Sequence, residues 1–255
     1  MRLLQLLVCL IMVGGATIAQ SGASNNTENS KEALTANEQG VALVKSGRYT
    51  DAAVEFERVV RLSPEFAVAY NNLGATYNFL ARYEDAISVL RRAIQLAPEY
   101  AEAHYDLGVA FQNLGRYDEA IEAYERAIHF KPDFAIAYSR LGSTCYANHQ
   151  RQRAILFYQE ALRIDPAYAE AYNNLGTAQA ESGRLRQATE SFERAISLKP
   201  GLAVAHYNLG VVSLWAKKRQ VALSQQRLLA PLDSTLADKL YHGIFQEKIL
   251  TLSIR

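Results

Sequence analysis

Asparagine and tyrosine recur in this sequence in two adjacent slots that repeat every 34 residues. An asparagine amide carries both a hydrogen-bond donor and an acceptor, so it can pair with a peptide backbone whatever the sequence of that peptide. Tyrosine adds broad, amphipathic contact. The first slot holds Asn71, Tyr105, Ser139, Asn173 and Tyr207, and the second holds Asn72, Asp106, Arg140, Asn174 and Asn208.

These slots have a second interpretation, because asparagines can also be solvated on an exposed helix face or can bond between repeats. Asp106 and Arg140 interrupt the asparagines of the second slot, so the sequence does not decide between the two interpretations.

Residues for acid–base, nucleophilic or metal chemistry do not form a set. His104 and His206 occupy a slot that elsewhere holds tyrosine, which favours packing between repeats. Cys145 occupies an aromatic slot and is expected to be a small buried hydrophobe. The sequence has no His-Glu-x-x-His, no paired Cys-x-x-Cys and no glycine-rich phosphate loop. We therefore expect no enzyme, no catalytic residue, no metal site and no cofactor.

Composition narrows the class of partner. Lys plus Arg is 27 and Asp plus Glu is 26, so the chain lacks the basic excess that a phosphate backbone requires. Nucleic acid is excluded as an expected partner, and the 49% of hydrophobic residues is enough for a soluble core.

Glycine, alanine and proline determine where the helices that carry the polar slots cross and end. Each period contains two helical stretches, for example residues 67–80 and 84–97, joined by a short turn at Arg82-Tyr83. Small residues let the two helices cross closely, and proline ends the second helix. One hairpin cannot bury its apolar face alone, so neighbouring hairpins must stack. The glycines are Gly40, Gly74, Gly108, Gly142, Gly176 and Gly210, and the prolines are Pro64, Pro98, Pro132, Pro166 and Pro200.

The blocks Tyr70-Asn71-Asn72-Leu73-Gly74 and Tyr172-Asn173-Asn174-Leu175-Gly176 resemble the tetratricopeptide repeat family. The resemblance implies an all-α fold, a right-handed α-solenoid superhelix of antiparallel helix pairs. The expected repeats are 33–66, 67–100, 101–134, 135–168, 169–202 and a degenerate 203–230. The sixth repeat departs from the pattern because Gln226 stands in an aromatic slot and Pro231 comes early.

Residues 231–255 are expected to form a terminal helix that caps the stack, since Leu236, Leu240 and Ile244 recur at helical spacing. The apolar stripe of this helix is broad for a cap, so the alternative is a homodimer contact.

In the tetratricopeptide family the first helices line the concave surface, so the resemblance places both slots in an inner groove. The row is similar to the asparagine ladder of O-linked N-acetylglucosamine transferases, which grips peptide backbone. Glu102 and Asp106 stand where the basic clamp of some family members needs cations, so we expect no such clamp. The predicted function is a non-enzymatic scaffold that binds a protein or peptide. A self-associating envelope component and a non-catalytic subunit of an enzyme are the alternatives. The expected peptide-binding residues are Asn71, Asn72, Tyr105, Asp106, Arg140, Asn173, Asn174, Tyr207 and Asn208.

The first residues are typical of a secretory signal. Arg2 precedes the apolar run Leu3 to Val13, and small residues lead to a cleavage site after Ala19. We expect a signal peptide at 1–19, a flexible linker at 20–32, and a periplasmic or secreted protein with no membrane contact beyond the leader. An uncleaved membrane anchor is the alternative.

Overall fold

The computed structural model describes residues 25–246 and Leu252, and this part of the chain is helical, without strands. The chain divides into unit 1, which ends at Pro132, and unit 2, which begins at Asp133. None of the described helices is both long enough and apolar enough to cross a bilayer. The helices of unit 1 are α1 (Asn25–Lys45), α2 (Tyr49–Leu62), α3 (Ala67–Phe79), α4 (Tyr83–Leu96), α5 (Ala101–Asn113) and α6 (Tyr117–Phe130). Those of unit 2 are α7 (Ala135–Ala147), α8 (Arg151–Ile164), α9 (Ala169–Glu181), α10 (Leu185–Leu198), α11 (Ala203–Trp215), α12 (Arg219–Leu229) and α13 (Ser234–Gln246).

Each unit is a stack of helical hairpins, as the period predicts. The α9–α10 turn shows how a hairpin closes: Gly183 takes a positive φ of 76°, and the Arg184 amide donates to the Gln179 carbonyl at 2.9 Å. The Gln179 carbonyl at the end of α9 also accepts from the Ser182 amide at 3.1 Å, so this turn gives it two donors. Ala81, His149 and Lys217 take the same left-handed conformation in other turns, where most side chains are disfavoured.

The glycine slots are the points where paired helices touch. A Cβ added to Gly108 would lie 2.7 Å from the Tyr124 ring, and one added to Gly176 would lie 2.7 Å from the Phe192 ring. Tyr124 and Phe192 are fully buried on the second helices. The prediction that small first-helix residues admit large second-helix side chains is confirmed.

The last repeat uses a different partner for its glycine. Gln226 of α12 stands in the aromatic slot, and Leu240 of α13 approaches Gly210 instead. Leu240 is fully buried, and α13 packs against both α11 and α12. The terminal segment therefore contains a helix, Ser234–Gln246, that packs on the last hairpin of unit 2, and a cap with the bounds 231–255 stays a prediction. Tyr241 and Phe245 on α13 remain exposed, and self-association through this helix stays a prediction.

The expected linker at 20–32 is wrong from Asn25 onward, because α1 begins there. Tertiary contacts explain the extension: Glu32 pairs with Arg58, while Ala33 and Ala36 pack against Val59. A polar composition alone suggested a tether, but packing on α2 stabilises the helix. The predicted signal peptide lies outside the described residues.

Candidate functional site

The two polar slots face each other across neighbouring first helices. In unit 1, the Asn72 Nδ2 of α3 donates to the Asn37 Oδ1 of α1 at 3.1 Å. The Asn71 amide likewise lies beside the Asp106 carboxyl of α5. Asn71 and Asn72 are fully buried and Asp106 is 3% exposed, so the slots lie between repeats rather than on an open surface.

In unit 2 the asparagines of these slots hydrogen-bond to one another. Asn208 Nδ2 donates to Asn173 Oδ1 at 2.9 Å and approaches Thr177 Oγ1 at 3.4 Å. Asn173 Nδ2 in turn donates to Asn174 Oδ1 at 3.2 Å. The bonds of Asn208 are the inter-repeat bonding that was the alternative interpretation of the row, whereas the Asn173–Asn174 bond lies within one repeat.

In unit 1 several polar atoms of the same slots have no hydrogen-bond partner of ordinary geometry among the described residues. They are both amide atoms of Asn71, Oδ1 of Asn72 and Oδ2 of Asp106. Native proteins pair nearly all buried polar groups, because an unpaired one costs about 1–3 kcal/mol. Asn71 and Asp106 lie beside each other, so unit 1 contains a buried polar cluster whose atoms lack hydrogen bonds of ordinary geometry.

Burial also changes the charge of this site. Desolvation by burial and, to a smaller extent, the nearby Glu102 carboxylate raise the pKa of Asp106 to about 8, although the Asn71 amide opposes the rise. At neutral pH Asp106 is therefore mostly protonated, and a neutral carboxyl can both donate and accept a hydrogen bond. Burial likewise raises the pKa of Tyr100, with smaller contributions from Glu102 and Asp106.

Two residues of this cluster were missed by the sequence analysis. Asn78 Nδ2 donates to the Asp106 carbonyl at 2.8 Å, and the buried Tyr100 hydroxyl has no partner among the described residues. Tyr100 also lines an open cleft of about 530 Å³ beside Ala67 and Pro98. Asn78 does not recur at the 34-residue period, so the repeat pattern could not reveal it.

Family models match most of the chain. The model described as tetratricopeptide repeat matches residues 101–134 and 169–202, and a second of that description matches 66–97. A third, described as TPR repeat, matches 40–78, 82–115 and 150–183. The chain belongs to the tetratricopeptide repeat family. Because these repeats are protein-interaction modules, this tetratricopeptide repeat protein is a protein–protein interaction scaffold.

Solved structures of tetratricopeptide repeat proteins share this fold. The crystal structure of MamA is 28% identical, with a TM-score of 0.58, and covers 63% of this chain and 94% of its own. YrrB, described as a TPR protein with an unusual peptide-binding site, is 24% identical, with a TM-score of 0.60, and covers 73% of this chain and 97% of its own. Pseudomonas aeruginosa pilF is 16% identical, with a TM-score of 0.74, and covers 87% and 100%. No curated protein matches the sequence.

Other candidate residues of this tetratricopeptide repeat protein lie in its core. The Tyr105 ring is buried, with its centroid 5.7 Å from that of Tyr124, and Tyr207 is buried in the cluster around Leu240. Neither ring therefore offers the broad surface contact that the sequence suggested, because each points toward helices of its own unit. Arg140 is partly buried on α7 of unit 2.

The histidines and Cys145 take structural positions. His104 Nε2 donates to the Pro98 carbonyl at 2.8 Å, and His206 Nε2 donates to the Pro200 carbonyl at 2.9 Å. Cys145 is fully buried. Within the described part of the chain, no three His, Cys, Asp or Glu residues come together as a metal site would require.

Proposed function

We propose that this scaffold binds the main chain of a polypeptide partner through the unit 1 row, which we define as Asn71, Asn72, Asn78 and Asp106. The observation that supports the proposal is the set of buried amide and carboxyl atoms without partners in this row. An extended peptide offers N–H donors and C=O acceptors in alternation, which suits a row that contains both acceptors and a donor. In the tetratricopeptide repeat family the first helices line the inner surface, and this supports the choice of these first-helix residues.

The asparagines among the candidate residues therefore differ between the two units. The unit 2 asparagines already pair with one another, so a ligand could engage them only by breaking those bonds. The unit 1 row has buried atoms without partners among the described residues. Because Asn71 and Asn72 are fully buried, a ligand could reach these atoms only if neighbouring first helices move apart, and pairing would then regain the free energy that burial costs. Binding energy is accordingly concentrated in unit 1.

The repeat period supplies a matched control for the test. Asn71 and Asn72 occupy the same slots as Asn173 and Asn174 three repeats later. Wild type, Asn71→Ala with Asn72→Ala, and Asn173→Ala with Asn174→Ala would each be used for affinity capture from a cell-envelope extract, with captured proteins quantified by mass spectrometry. We expect the unit 1 variant to fail to capture the proteins that wild type captures, whereas the unit 2 variant still captures them. Equal capture by wild type and the unit 1 variant would overturn it.

We also propose that the chain is exported and acts in the periplasm or outside the cell. The support is the leader pattern, with Arg2 before an apolar run and small residues up to Ala19. Intact-mass measurement of the protein purified from its host tests this. A mature N-terminus at Gln20 in the exported fraction supports the proposal, whereas a full-length chain confined to the cytoplasm contradicts it.

A further inference from the structure

The turns between paired helices differ in charge between the two units. In unit 1 each turn begins with an arginine, and an acid three residues later in the first turn of the second helix neutralises it. The pairs are Arg48–Asp51 at 2.6 Å, Arg82–Asp85 at 2.8 Å and Arg116–Glu119 at 2.6 Å.

In unit 2 the equivalent helices α8, α10 and α12 have no acidic residue in their first turns. Arginine, glutamine and valine stand in the positions that hold acids in unit 1. We call the cations of these three turns the basic edge of unit 2. Its members are Arg151, Arg153, Arg184, Arg186, Lys217, Lys218 and Arg219.

This placement opposes the intrinsic preference of a helix. Unpaired N–H groups give the N-terminus of a helix a partial positive charge, so acids stabilise it and cations destabilise it by about 0.3–1 kcal/mol each. Three helices of unit 2 have cations and no acid at their N-termini. The stability of the fold gives no reason for this arrangement. The same partial charges attract a bound anion. An anionic ligand would therefore remove the cost at all three turns.

The first two of these turns lie beside one another. Arg151 Nε donates to Glu181 Oε2 at 3.0 Å, and Arg184 Nη2 donates to Gln152 Oε1 at 3.0 Å, so the first two turns are in contact. The acids near the edge are few. Glu181 pairs with Arg151, and Glu190 lies 3.8 Å from Arg186.

Large aromatic side chains are exposed at the third turn. Trp215 ends α11 and is 40% exposed, while Phe245 near the end of α13 is 50% exposed. The Arg219 guanidinium lies over the Phe245 ring at 5.1 Å, which places this ring at the basic edge. Asp238, also on α13, lies two helical turns before Phe245. Aromatic rings beside Lys and Arg are the combination that suits the interface of a lipid bilayer.

We propose that the basic edge of unit 2 docks on a membrane surface that contains anionic phospholipids, with Trp215 and Phe245 entering the headgroup layer. Phosphodiester groups would bind to the cations and to the helix N-termini. The α9–α10 turn provides an open cleft of about 380 Å³ beside Arg184 and Arg186. An acidic polypeptide would satisfy the cations but would give the exposed rings no apolar environment. This surface is independent of the unit 1 row, so either proposal can fail alone.

Sedimentation with lipid vesicles tests the proposal. A chain that begins at Gln20 retains every described helix and lacks the apolar leader, which would itself bind lipid. We expect it to sediment with vesicles of phosphatidylcholine and phosphatidylglycerol but not with phosphatidylcholine alone, and to be released by high salt. Absence of vesicle binding would overturn the proposal. If the chain instead binds soluble polyglutamate, the edge serves an acidic polypeptide.

A charge-exchanged variant separates docking from folding. Arg153→Asp, Arg186→Glu and Gln220→Glu install unit 1 acids at the unit 2 turns, which should leave stability unchanged or raise it. Vesicle affinity should fall by more than about tenfold, since each cation near such a surface contributes about 1 kcal/mol.

The matched control is Arg163→Glu, Arg194→Glu and Arg227→Gln, which changes the net charge equally but near the opposite ends of α8, α10 and α12. It should keep vesicle affinity within about twofold. Equal losses in the two variants would show that only net charge matters, and would overturn docking through this edge.

Discussion

Leu240 of the terminal helix occupies the space beside Gly210, where a Cβ on Gly210 would lie 2.4 Å from Leu240 Cδ2. In the five preceding repeats the residue that contacts the glycine comes from the second helix of the same repeat, as Phe192 does for Gly176. In the last repeat that position is Gln226, so α13 supplies the apolar side chain that α12 lacks. The terminal helix is thus an integral part of the core of unit 2.

Leu240→Ala should destabilise unit 2 by about 2–5 kcal/mol, because it removes a fully buried side chain and leaves a cavity over Gly210. Urea unfolding followed by circular dichroism measures the loss. The neighbouring Tyr241→Ala is the control, and it should cost less than about 1 kcal/mol because Tyr241 is 45% exposed, whereas Leu240 is fully buried. Equal effects of the two changes would show that α13 is only loosely attached.

Gly176→Ala should destabilise the fold by about 1–3 kcal/mol, since the new methyl would lie 2.7 Å from the buried Phe192 ring. Gly201→Ala, where an added Cβ meets no atom within 4 Å, should leave the free energy of unfolding unchanged or slightly raised. Thermal unfolding compares the two variants. A neutral Gly176→Ala would mean that the helices can move apart without cost, contrary to the close crossing described above.

Asp106 should make stability fall as pH rises. Its pKa is raised from 3.8 to about 8 in the folded protein, so between those values the folded state holds a proton that the unfolded state has released. The stabilising contribution is complete below the unfolded pKa and is lost as pH rises through the folded pKa, with a slope of up to about 1.4 kcal/mol per pH unit. Asp106→Asn should remove this slope.

Denaturant unfolding at several pH values, with wild type and Asp106→Asn side by side, measures the difference. The other carboxylate that faces Asp106 is Glu102, which pairs with Lys131 at 2.8 Å and is unchanged in both proteins. Parallel pH profiles for the two proteins would contradict the protonated, buried state of Asp106.

The matched asparagines should respond differently to truncation. Asn173→Ala removes the acceptor of the Asn208 bond and should cost about 1–3 kcal/mol of folding free energy. Asn71→Ala removes two buried polar atoms without partners among the described residues. The free energy gained by removing these unpaired atoms offsets the packing that is lost, so the free energy of unfolding should change by less than about 1 kcal/mol. Chemical unfolding of both variants checks this, and a larger loss at Asn71 would mean that its amide is already satisfied.

The regular part of the fold could be predicted from the sequence because the same pattern of residues recurs in successive repeats. Gly176 and Phe192, for example, stand at the same spacing as Gly108 and Tyr124, and the crossing of two helices needs that combination. The role of Leu240 could not be predicted, since it replaces a partner from outside the period. The start of α1 at Asn25 also depends on tertiary contacts that local composition does not express.

The sequence shows which residues share a slot, but it does not show how the buried atoms of those residues divide between paired and unpaired ones. That these residues bind a ligand stays a prediction. The pattern aligns residues that share a slot, whereas hydrogen bonds join one slot to the other across adjacent repeats. Asn208 meets Asn173 and pairs with it, while Asp106 meets Asn71 in a buried cluster with unused atoms. Whether a side chain is paired therefore depends on which two residues face each other across adjacent repeats. A comparison of the residues within one slot does not show which residues those are. The basic edge of unit 2 was equally hidden, because the net charge of the whole chain is only +1.

The affinity of a captured partner for wild type, Asn71→Ala and Asn173→Ala, measured by calorimetric titration, tests the proposed function most directly. We expect Asn71→Ala to weaken binding by about tenfold or more through the lost hydrogen bonds, while Asn173→Ala binds within about twofold of wild type despite its lower stability. Undiminished binding by Asn71→Ala, together with weakened binding by Asn173→Ala, would contradict it.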